Sequence, residues 1–227
     1  MALSIAAVPA APGLPRTDFF VTTKVADYNL DKATFMPSVR KSLDTIGLGP
    51  VDLLLIHWPS GGEAVPLEHY IEALAEAQQG GLTRLIGVSN FTIDLLGRTE
   101  ALLGKNRLAT NQVEIHPYLQ ASKLCASAKA RGLTLTAYQP LAQGRVSSDT
   151  LLKQIAIRHG VTASAISLAF LMAEGHIVIP ASSSAEHLAA NFAALGVRLS
   201  EQEMMQIRGL DRSLRIINPS FAPHWDD

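Results

Sequence analysis

Short apolar runs alternate with amphipathic stretches along the whole chain. In Leu53-Leu54-Leu55-Ile56, four aliphatic residues in a row suit a strand buried on both faces, as in a parallel sheet covered by helices. Five other runs have similar length and character. The pattern therefore predicts six strands, at residues 19–23, 53–56, 85–88, 110–115, 133–137 and 177–179.

The stretches between these runs have helical periodicity. Leu67, Tyr70, Ile71 and Leu74 follow the i, i+3, i+4, i+7 spacing of one apolar helix face, and Gly80-Gly81 ends that helix. Two residues mark helix starts. Asp31 is expected to cap the first helix, and Pro66 is expected to occupy the first turn of the second helix. Helices are predicted at 31–46, 66–80, 93–103, 122–130, 150–159, 163–173, 186–195 and 201–210, followed by an irregular tail at 213–227.

The alternation of strand and helix predicts an α/β fold with a mainly parallel sheet. Both a doubly wound open sheet and a (β/α)8 TIM-type barrel fit it. A dinucleotide-binding open sheet needs a Gly-x-Gly-x-x-Gly turn after an early strand, and neither Gly47-Leu48-Gly49 nor Gly61-Gly62 meets this requirement. We therefore favour an incomplete barrel with about six of the eight β/α units. Residues 16–227 are expected to form one domain, and residues 1–15 a disordered lead-in or helix remnant.

The amino-acid composition indicates one globular domain and argues against several classes of function. The 227 residues are 48% hydrophobic, enough for one large core, and 19 basic and 20 acidic residues give a net charge of −1. Because the charges are mixed, we expect neither a nucleic-acid partner nor a membrane partner, and no apolar run reaches the roughly 18 residues of a membrane span. The single cysteine, Cys125, is expected to be a packed thiol and favours a cytoplasmic location.

Polar side chains stand at the carboxyl ends of the predicted strands, where α/β sheets and barrels place their chemistry. Lys24 is suited to polarising an acid, forming a Schiff base or holding a phosphate; a solvated surface lysine is the alternative. His57 is suited to general acid catalysis or to donating a hydrogen bond to a carbonyl; the alternative is a satisfied histidine at a strand end. Trp58 either lines a pocket or packs in the core.

Amide, hydroxyl and aromatic groups follow on later strands. Ser89, Asn90 and Gln112 are the residue types that read a carboxamide, although Ser89 or Asn90 capping a helix is the competing explanation. Tyr138 is placed to stack on a flat ring or to fill the rim of the barrel.

The histidines do not indicate a metal site. His116 precedes Pro117, which favours a structural turn, and no pair of the others has metal-ligand spacing on one helix face. No metal is therefore predicted; the other histidines apart from His57 are His69, His159, His176, His187 and His224.

Six motifs on consecutive strand ends resemble those of the aldo-keto reductases, in the family's order, over roughly residues 13–227. The tail Asn218-Pro219-Ser220-Phe221-Ala222-Pro223-His224-Trp225-Asp226 resembles the bacterial 2,5-diketo-gluconate reductase branch. The motifs are Val21-Thr22-Thr23-Lys24, Leu55-Ile56-His57-Trp58-Pro59, Ile86-Gly87-Val88-Ser89-Asn90-Phe91, Asn111-Gln112-Val113-Glu114, Ala137-Tyr138-Gln139-Pro140-Leu141 and Ile179-Pro180-Ala181-Ser182.

The resemblance implies a (β/α)8 barrel that binds NADPH and transfers hydride to an aldehyde or ketone, with a small carbonyl or keto-sugar as substrate. Lys24 and His57 match two of the family's four catalytic residues. Three aromatic residues would line the substrate pocket: Trp58, Phe221 and Trp225. The implied cofactor contacts are Ser89, Asn90 and Gln112 at the carboxamide, Tyr138 on the nicotinamide ring, Leu141 at the pyrophosphate, Ser182, Ser183 and Ser184 at the adenosine phosphate end, His187 at the 2′-phosphate and Asn191 near the adenine.

The sequence departs from the family pattern in two places. The family's catalytic aspartate and tyrosine have no counterpart, and residues 1–15 contain neither residue type. Where many relatives place a lysine and an arginine at the 2′-phosphate, this chain has Ala181 and His187, so NADH is an alternative to NADPH.

Two functions from different classes follow. The first is an NAD(P)H-dependent carbonyl reductase whose activity is impaired by the missing aspartate and tyrosine. The second is a catalytically silent protein that binds NADP(H) or forms oligomers and retains the cofactor cleft. An unrelated barrel with Lys24 as a Schiff-base lysine is weaker, because it leaves Ser89, Asn90 and Gln112 unexplained. A monomer is expected for the family, with self-association through unclosed barrel edges as the alternative.

Overall fold

The computed structural model describes residues 15–226, so the N-terminal lead-in expected at 1–15 falls almost wholly outside the described residues. Six strands form one sheet in the order β1-β2-β3-β4-β5-β6. β1 pairs with β2, β2 with β3, and β5 with β6, all in parallel. The predicted α/β class is confirmed, and the strand order lacks the reversal of a doubly wound sheet. The strands are β1 Thr22–Val25, β2 Val51–Ile56, β3 Thr83–Ser89, β4 Leu108–Glu114, β5 Thr134–Tyr138 and β6 Ile177–Val178.

All eight predicted helices are present. The prediction was wrong at some of their ends, notably at α7, where a 3-10 turn over Ala193–Gly196 replaces the last predicted turn. The helices are α1 Phe35–Ile46, α2 Leu67–Gln79, α3 Ile93–Leu103, α4 Ser122–Arg131, α5 Thr150–His159, α6 Ala163–Ala173, α7 Ala185–Phe192 and α8 Glu201–Arg208.

The starts of α1 and α2 differ from the prediction. The Asp31 carboxylate accepts the backbone N–H groups of Ala33 at 2.9 Å and Thr34 at 3.2 Å, so it forms a turn ahead of α1 instead of capping it. Pro66 stands at the N-cap position immediately before α2, not within its first turn.

The first strand was predicted three residues too early. β1 begins at Thr22, because Phe20 is 60% exposed and its ring packs on the Arg84 guanidinium, 5.5 Å from the ring centroid, instead of entering the sheet. Lys24 consequently lies inside β1, opposite Leu55 of β2, and does not follow the strand.

The chain divides into two compact units. The first comprises residues 1–111 with 220–225, and the second residues 112–219 with 226–227. In the first, the buried faces of β2 and β3 form the core with α2. Gly87 is required there, because a Cβ at this position would lie 2.7 Å from Leu55 Cδ2 and 2.8 Å from the Thr110 carbonyl oxygen. In the second, α6 is buried along most of its length. The single domain expected for 16–227 stays a prediction.

Within residues 15–226, no single helix is both long enough and apolar enough to cross a membrane. Only α5 and α6 taken together pass that test, and an 89° bend separates them.

Candidate functional site

His57 follows the last residue of β2. Its backbone N–H donates to the Val25 carbonyl at 2.9 Å, which extends the β1–β2 ladder to the histidine. Burial of the imidazole lowers its pKa to about 4, and the nearby Lys24 charge acts in the same direction while Asp27 opposes it. At neutral pH His57 is therefore uncharged, and it is suited to hydrogen bonding with a polar substrate group.

Lys24 is half-buried in β1. Burial lowers its pKa, because the charged ammonium is desolvated. Among residues 15–226 its ammonium makes no ion pair within 4.0 Å. The described part of the chain thus holds a partly desolvated cation close enough to His57 to affect its pKa.

Asn90 ties the end of β3 to the end of β2. Its side-chain Nδ2 donates to the His57 carbonyl oxygen at 2.9 Å and to Ser89 Oγ at 3.2 Å, and both Ser89 and Asn90 are 1% exposed. Asn90 has a φ of 63°, a left-handed conformation that asparagine tolerates better than most residues. The capping explanation is wrong, because Thr92 caps α3 by accepting the Leu95 N–H at 3.3 Å.

Asn111 supports the candidate site, although the sequence analysis gave it no role. Fully buried in β4, it donates from Nδ2 to the Phe91 carbonyl at 2.8 Å and accepts the Phe91 N–H at 3.3 Å. It therefore fixes the turn that carries Ser89 and Asn90. The feature of the sequence that could have indicated Asn111 is its amide side chain near the end of a predicted strand, directly before Gln112.

Three aromatic residues predicted for the substrate pocket lie together in the first unit. The Trp58 ring is 5.6 Å from Phe221 and 5.9 Å from Trp225 between centroids, both in edge-on geometry. Gly61 permits this approach of the tail, since a Cβ there would lie 2.9 Å from Phe221 Cβ. Trp58 is buried, while Phe221 is 40% exposed. We call these three side chains the aromatic cluster.

Two of the predicted cofactor residues lie on strands of the second unit. Gln112, in β4, is 4% exposed, and Tyr138 is the half-buried last residue of β5. Burial raises the pKa of Tyr138, and the negative charge of Glu114 raises it further. Its hydroxyl therefore stays protonated at neutral pH, which suits stacking and hydrogen bonding.

The other predicted cofactor residues of the second unit lie in and around α7, apart from Leu141. Ser182 Oγ accepts the Ser184 N–H at 3.1 Å, and Ser184 Oγ caps α7 by accepting the His187 N–H at 3.3 Å. Ser183 and His187 are exposed, and Asn191 is half-buried in α7. Leu141 is half-buried at the start of the 3-10 turn Ala142–Ser148.

Glu114 and His116 form a buried pair that the sequence analysis did not foresee. His116 Nε2 lies 3.0 Å from Glu114 Oε1, and neither side chain is accessible. The turn predicted at His116 is confirmed by reciprocal backbone hydrogen bonds with Leu119 at 3.0 and 2.9 Å. Desolvation raises the pKa of Glu114, but hydrogen bonds from His116 and from the backbone of Ile216 and Ile217 outweigh it, so the net shift is downward.

Comparison with known proteins identifies the family. The model of the aldo/keto reductase family matches residues 5–212. The chain belongs to this family. It is therefore an oxidoreductase by family, and the resemblance derived from six strand-end motifs is confirmed. Across residues 15–226 there is no group of three or more histidine, cysteine, aspartate or glutamate side chains placed to hold a metal ion.

Named relatives belong to the branch that the tail indicated. The chain is 43% identical over 218 residues to methylglyoxal reductase DkgB of Salmonella typhi, covering 96% of this chain and 82% of the relative. The crystal structure of a proposed 2,5-diketo-D-gluconic acid reductase B is 40% identical, with a TM-score of 0.90 over 95% of this chain and 76% of that one. A Bombyx mori aldo-keto reductase solved in complex with NADP is 28% identical, with a TM-score of 0.84 over 92% of this chain and 74% of that one.

Proposed function

We propose that this chain binds NADP(H) and reduces small aldehydes, ketones or keto-sugars by hydride transfer. The observation that carries the proposal is the hydrogen bond from Asn90 to the His57 backbone carbonyl. It holds Asn90, which would bind the carboxamide of the nicotinamide, next to His57, which would orient the substrate carbonyl. NADPH supplies the hydride when bound. Residues of each unit suit such a cofactor. In the first unit, Ser89 and Asn90 offer buried hydroxyl and amide groups for a carboxamide. In the second unit, Gln112 offers a buried amide and Tyr138 offers a flat ring face.

His57 orients the substrate carbonyl by donating a hydrogen bond. Because its pKa is about 4, it is neutral at physiological pH and holds only one ring proton. The donor stabilises negative charge that develops on the carbonyl oxygen, without full transfer of its proton.

The aromatic cluster favours a small polar substrate with an apolar face. Trp58 and Trp225 offer two indole rings, and Phe221 is partly open to solvent. The relatives named as methylglyoxal reductases support a small dicarbonyl as one such substrate.

We also propose that carbonyl reduction by the 227-residue chain is slow, because the family's catalytic tyrosine has no counterpart in this sequence. Loss of a positioned general acid typically removes about 10²–10⁴ in rate. Tyr28 is the phenol nearest in sequence to Lys24, and it is 69% exposed, which does not suit a substitute acid. The Lys24 ammonium, without an ion pair among residues 15–226, favours a second candidate function, a silent NADP(H)-binding protein.

We propose that the chain is a cytoplasmic monomer. Its single cysteine, Cys125, leaves no partner for an internal disulfide, which suits a reducing compartment.

Cofactor binding should weaken when the predicted nicotinamide contacts are removed. Titrating the chain with NADPH and following cofactor fluorescence should show saturable binding, and Gln112→Ala or Tyr138→Ala should raise the dissociation constant about tenfold or more. Tyr28→Ala and Gln154→Ala, both at exposed positions, are matched controls and should bind as the parent does. Binding that ignores the first two changes would refute the site assignment.

The preference between NADPH and NADH should be small. With Ala181 and His187 where many relatives place a lysine and an arginine, the 2′-phosphate gains less attraction than two fixed cations would give it. Dissociation constants of both cofactors at pH 7, for the parent and for His187→Ala, test this. A large NADPH preference that His187→Ala leaves unchanged would assign the phosphate to another residue.

A further inference from the structure

The loop at residues 59–66 joins the end of β2, directly after His57 and Trp58, to the start of α2. Its backbone turns at Gly62 and Glu63, whose φ angles are 59° and 55°. The left-handed region is unfavourable for glutamate, and a residue stays there only when its surroundings hold it. Contacts around Glu63 must therefore stabilise this turn.

Two hydrogen bonds close the loop on itself. The Ser60 carbonyl oxygen accepts the Glu63 N–H at 3.1 Å, and Ser60 Oγ accepts the Val65 N–H at 2.9 Å. These bonds fix the shape of the loop. They do not fix its position relative to the neighbouring helices, so a contact from outside the loop is needed for that.

The side chain of Glu63 supplies this contact, because it pairs with Arg98 of α3. Arg98 Nη1 donates to Glu63 Oε1 at 2.6 Å, and Nη2 donates to Oε2 at 3.4 Å. Asp94 Oδ2, one turn earlier on α3, lies 3.8 Å from Arg98 Nη1. Hydrogen bonding to Arg98 lowers the pKa of Glu63, so its carboxylate is charged at neutral pH. The two-pronged geometry fixes the orientation of the pair as well as its distance.

The same loop lies against the aromatic cluster. A Cβ on Gly61 would lie 2.9 Å from Phe221 Cβ and 3.3 Å from the Phe221 carbonyl oxygen, and Phe221 packs edge-on against Trp58. Gly61 is two residues before Glu63, at most about 7 Å along an extended chain. All of these residues belong to the first unit. A shift of the loop at Glu63 therefore reaches Phe221 directly.

We propose that Glu63 and Arg98 are positioning residues, whose ion pair holds the 59–66 loop against Phe221 and so sets the packing of the aromatic cluster. Both act through the backbone of Gly61. The pair would thereby also influence how tightly the cluster binds a substrate, a part of the inference that rests on the proposed function.

Tryptophan fluorescence tests the positioning role without requiring activity, since both tryptophans of the chain, Trp58 and Trp225, belong to the cluster. Glu63→Gln and Arg98→Gln should each shift the emission to the red and increase quenching by acrylamide. The double variant should shift it no further than one single variant, because both changes remove the same interaction. Glu72→Gln, at an exposed position of α2 in the same unit, is the matched control and should match the parent.

Salt provides a second readout that a purely local packing change would not give. The side chains of Arg98 and Glu63 are 37% and 63% exposed, so solvent ions reach the pair. In about 1 M NaCl, where the screening length falls to about 3 Å, the emission of the parent should approach that of Glu63→Gln, while the emission of Glu63→Gln should change little.

Three results would overturn the positioning role. The first is parent-like emission and quenching in both single variants. The second is an equal shift in the Glu72→Gln control. The third is a double variant whose shift equals the sum of the two single shifts, because the two residues would then act independently.

The substrate part has its own measurement, steady-state oxidation of saturating NADPH with methylglyoxal. Glu63→Gln and Arg98→Gln should each raise KM about two- to fivefold with kcat little changed, which is the size of effect that an exposed ion pair supplies. An unchanged KM together with a red-shifted emission would overturn the substrate part. A failure of the parent to bind NADPH would refute the proposed function and leave the fluorescence results standing.

Discussion

Replacing Glu203 with glutamine is expected to lower the free energy of unfolding by about 2–3 kcal/mol at pH 7. The Glu203 carboxylate joins α8 to α5: Arg158 Nη2 lies 3.1 Å and His159 Nε2 3.1 Å from its oxygens. It also accepts the Ser200 N–H at 2.9 Å, closing a capping box at the start of α8. Glutamine retains the shape but loses the charge, so several donors lose their ionised acceptor.

The pH dependence of this effect has a definite sign. Desolvation raises the pKa of Glu203, but hydrogen bonds from the Ser200 backbone, His159 and Arg158 outweigh it and bring the pKa down to about 2, from 4.5. The stabilisation by the Glu203 charge is therefore fully present above pH 4.5 and is lost as the pH falls towards 2. Urea unfolding at pH 7, 4 and 3 should show that the difference in free energy of unfolding between parent and variant becomes smaller as the pH falls. Glu72→Gln, on the exposed face of α2, should differ little from the parent at any of these values, and a Glu203 difference that stays constant down to pH 3 would contradict the assignment.

Fusing to this chain a relative's segment that carries the family's catalytic aspartate and tyrosine is expected to raise the rate of carbonyl reduction by several orders of magnitude. That segment carries the family's aspartate and tyrosine, so it would supply both a general acid and a carboxylate partner for Lys24. General acid catalysis alone contributes about 10²–10⁴, and the electrostatic partner adds to it. Single-turnover oxidation of NADPH with a nitrobenzaldehyde measures the effect at the chemical step.

The control for this prediction removes only the hydroxyl group of the added tyrosine. In the extended chain, phenylalanine in place of the added tyrosine should return the rate to within about tenfold of the 227-residue chain. In the 227-residue chain itself, His57→Ala should slow the reaction further. An extended chain that is no faster than the 227-residue chain would show that the added aspartate and tyrosine do not limit the reaction.

Strand positions were predictable where a strand is buried on both faces. Residues 53–56 of β2 form an uninterrupted aliphatic run, and Leu55 and Ile56 are fully buried. The start of β1 was not predictable from hydrophobicity, because the exposed Phe20 ring makes a cation–π contact with the Arg84 guanidinium outside the sheet. The start of α1 was missed for a similar reason, since Asp31 bonds its own following turn.

The positions of candidate site residues at strand ends were predictable where they are set locally. His57, Ser89, Asn90 and Tyr138 fall there, and the alternative of helix capping was resolved only by the geometry of Thr92. Asn111 and Glu114 were missed because their partners are distant in sequence: Phe91 is 20 residues from Asn111, and Ile216 is 102 residues from Glu114. A hydrogen bond between such positions depends on the folded chain, and a single sequence carries no periodic signal for it.

The most direct test compares cofactor binding and turnover in one sample of the 227-residue chain. NADPH fluorescence titration gives the bound fraction, and steady-state NADPH oxidation with methylglyoxal gives the rate under the same conditions. We expect saturable binding with very low turnover, which falls again in His57→Ala. Absence of saturable binding, or turnover equal to that of the extended chain, would contradict the proposal that this chain is a cofactor-binding reductase without its general acid.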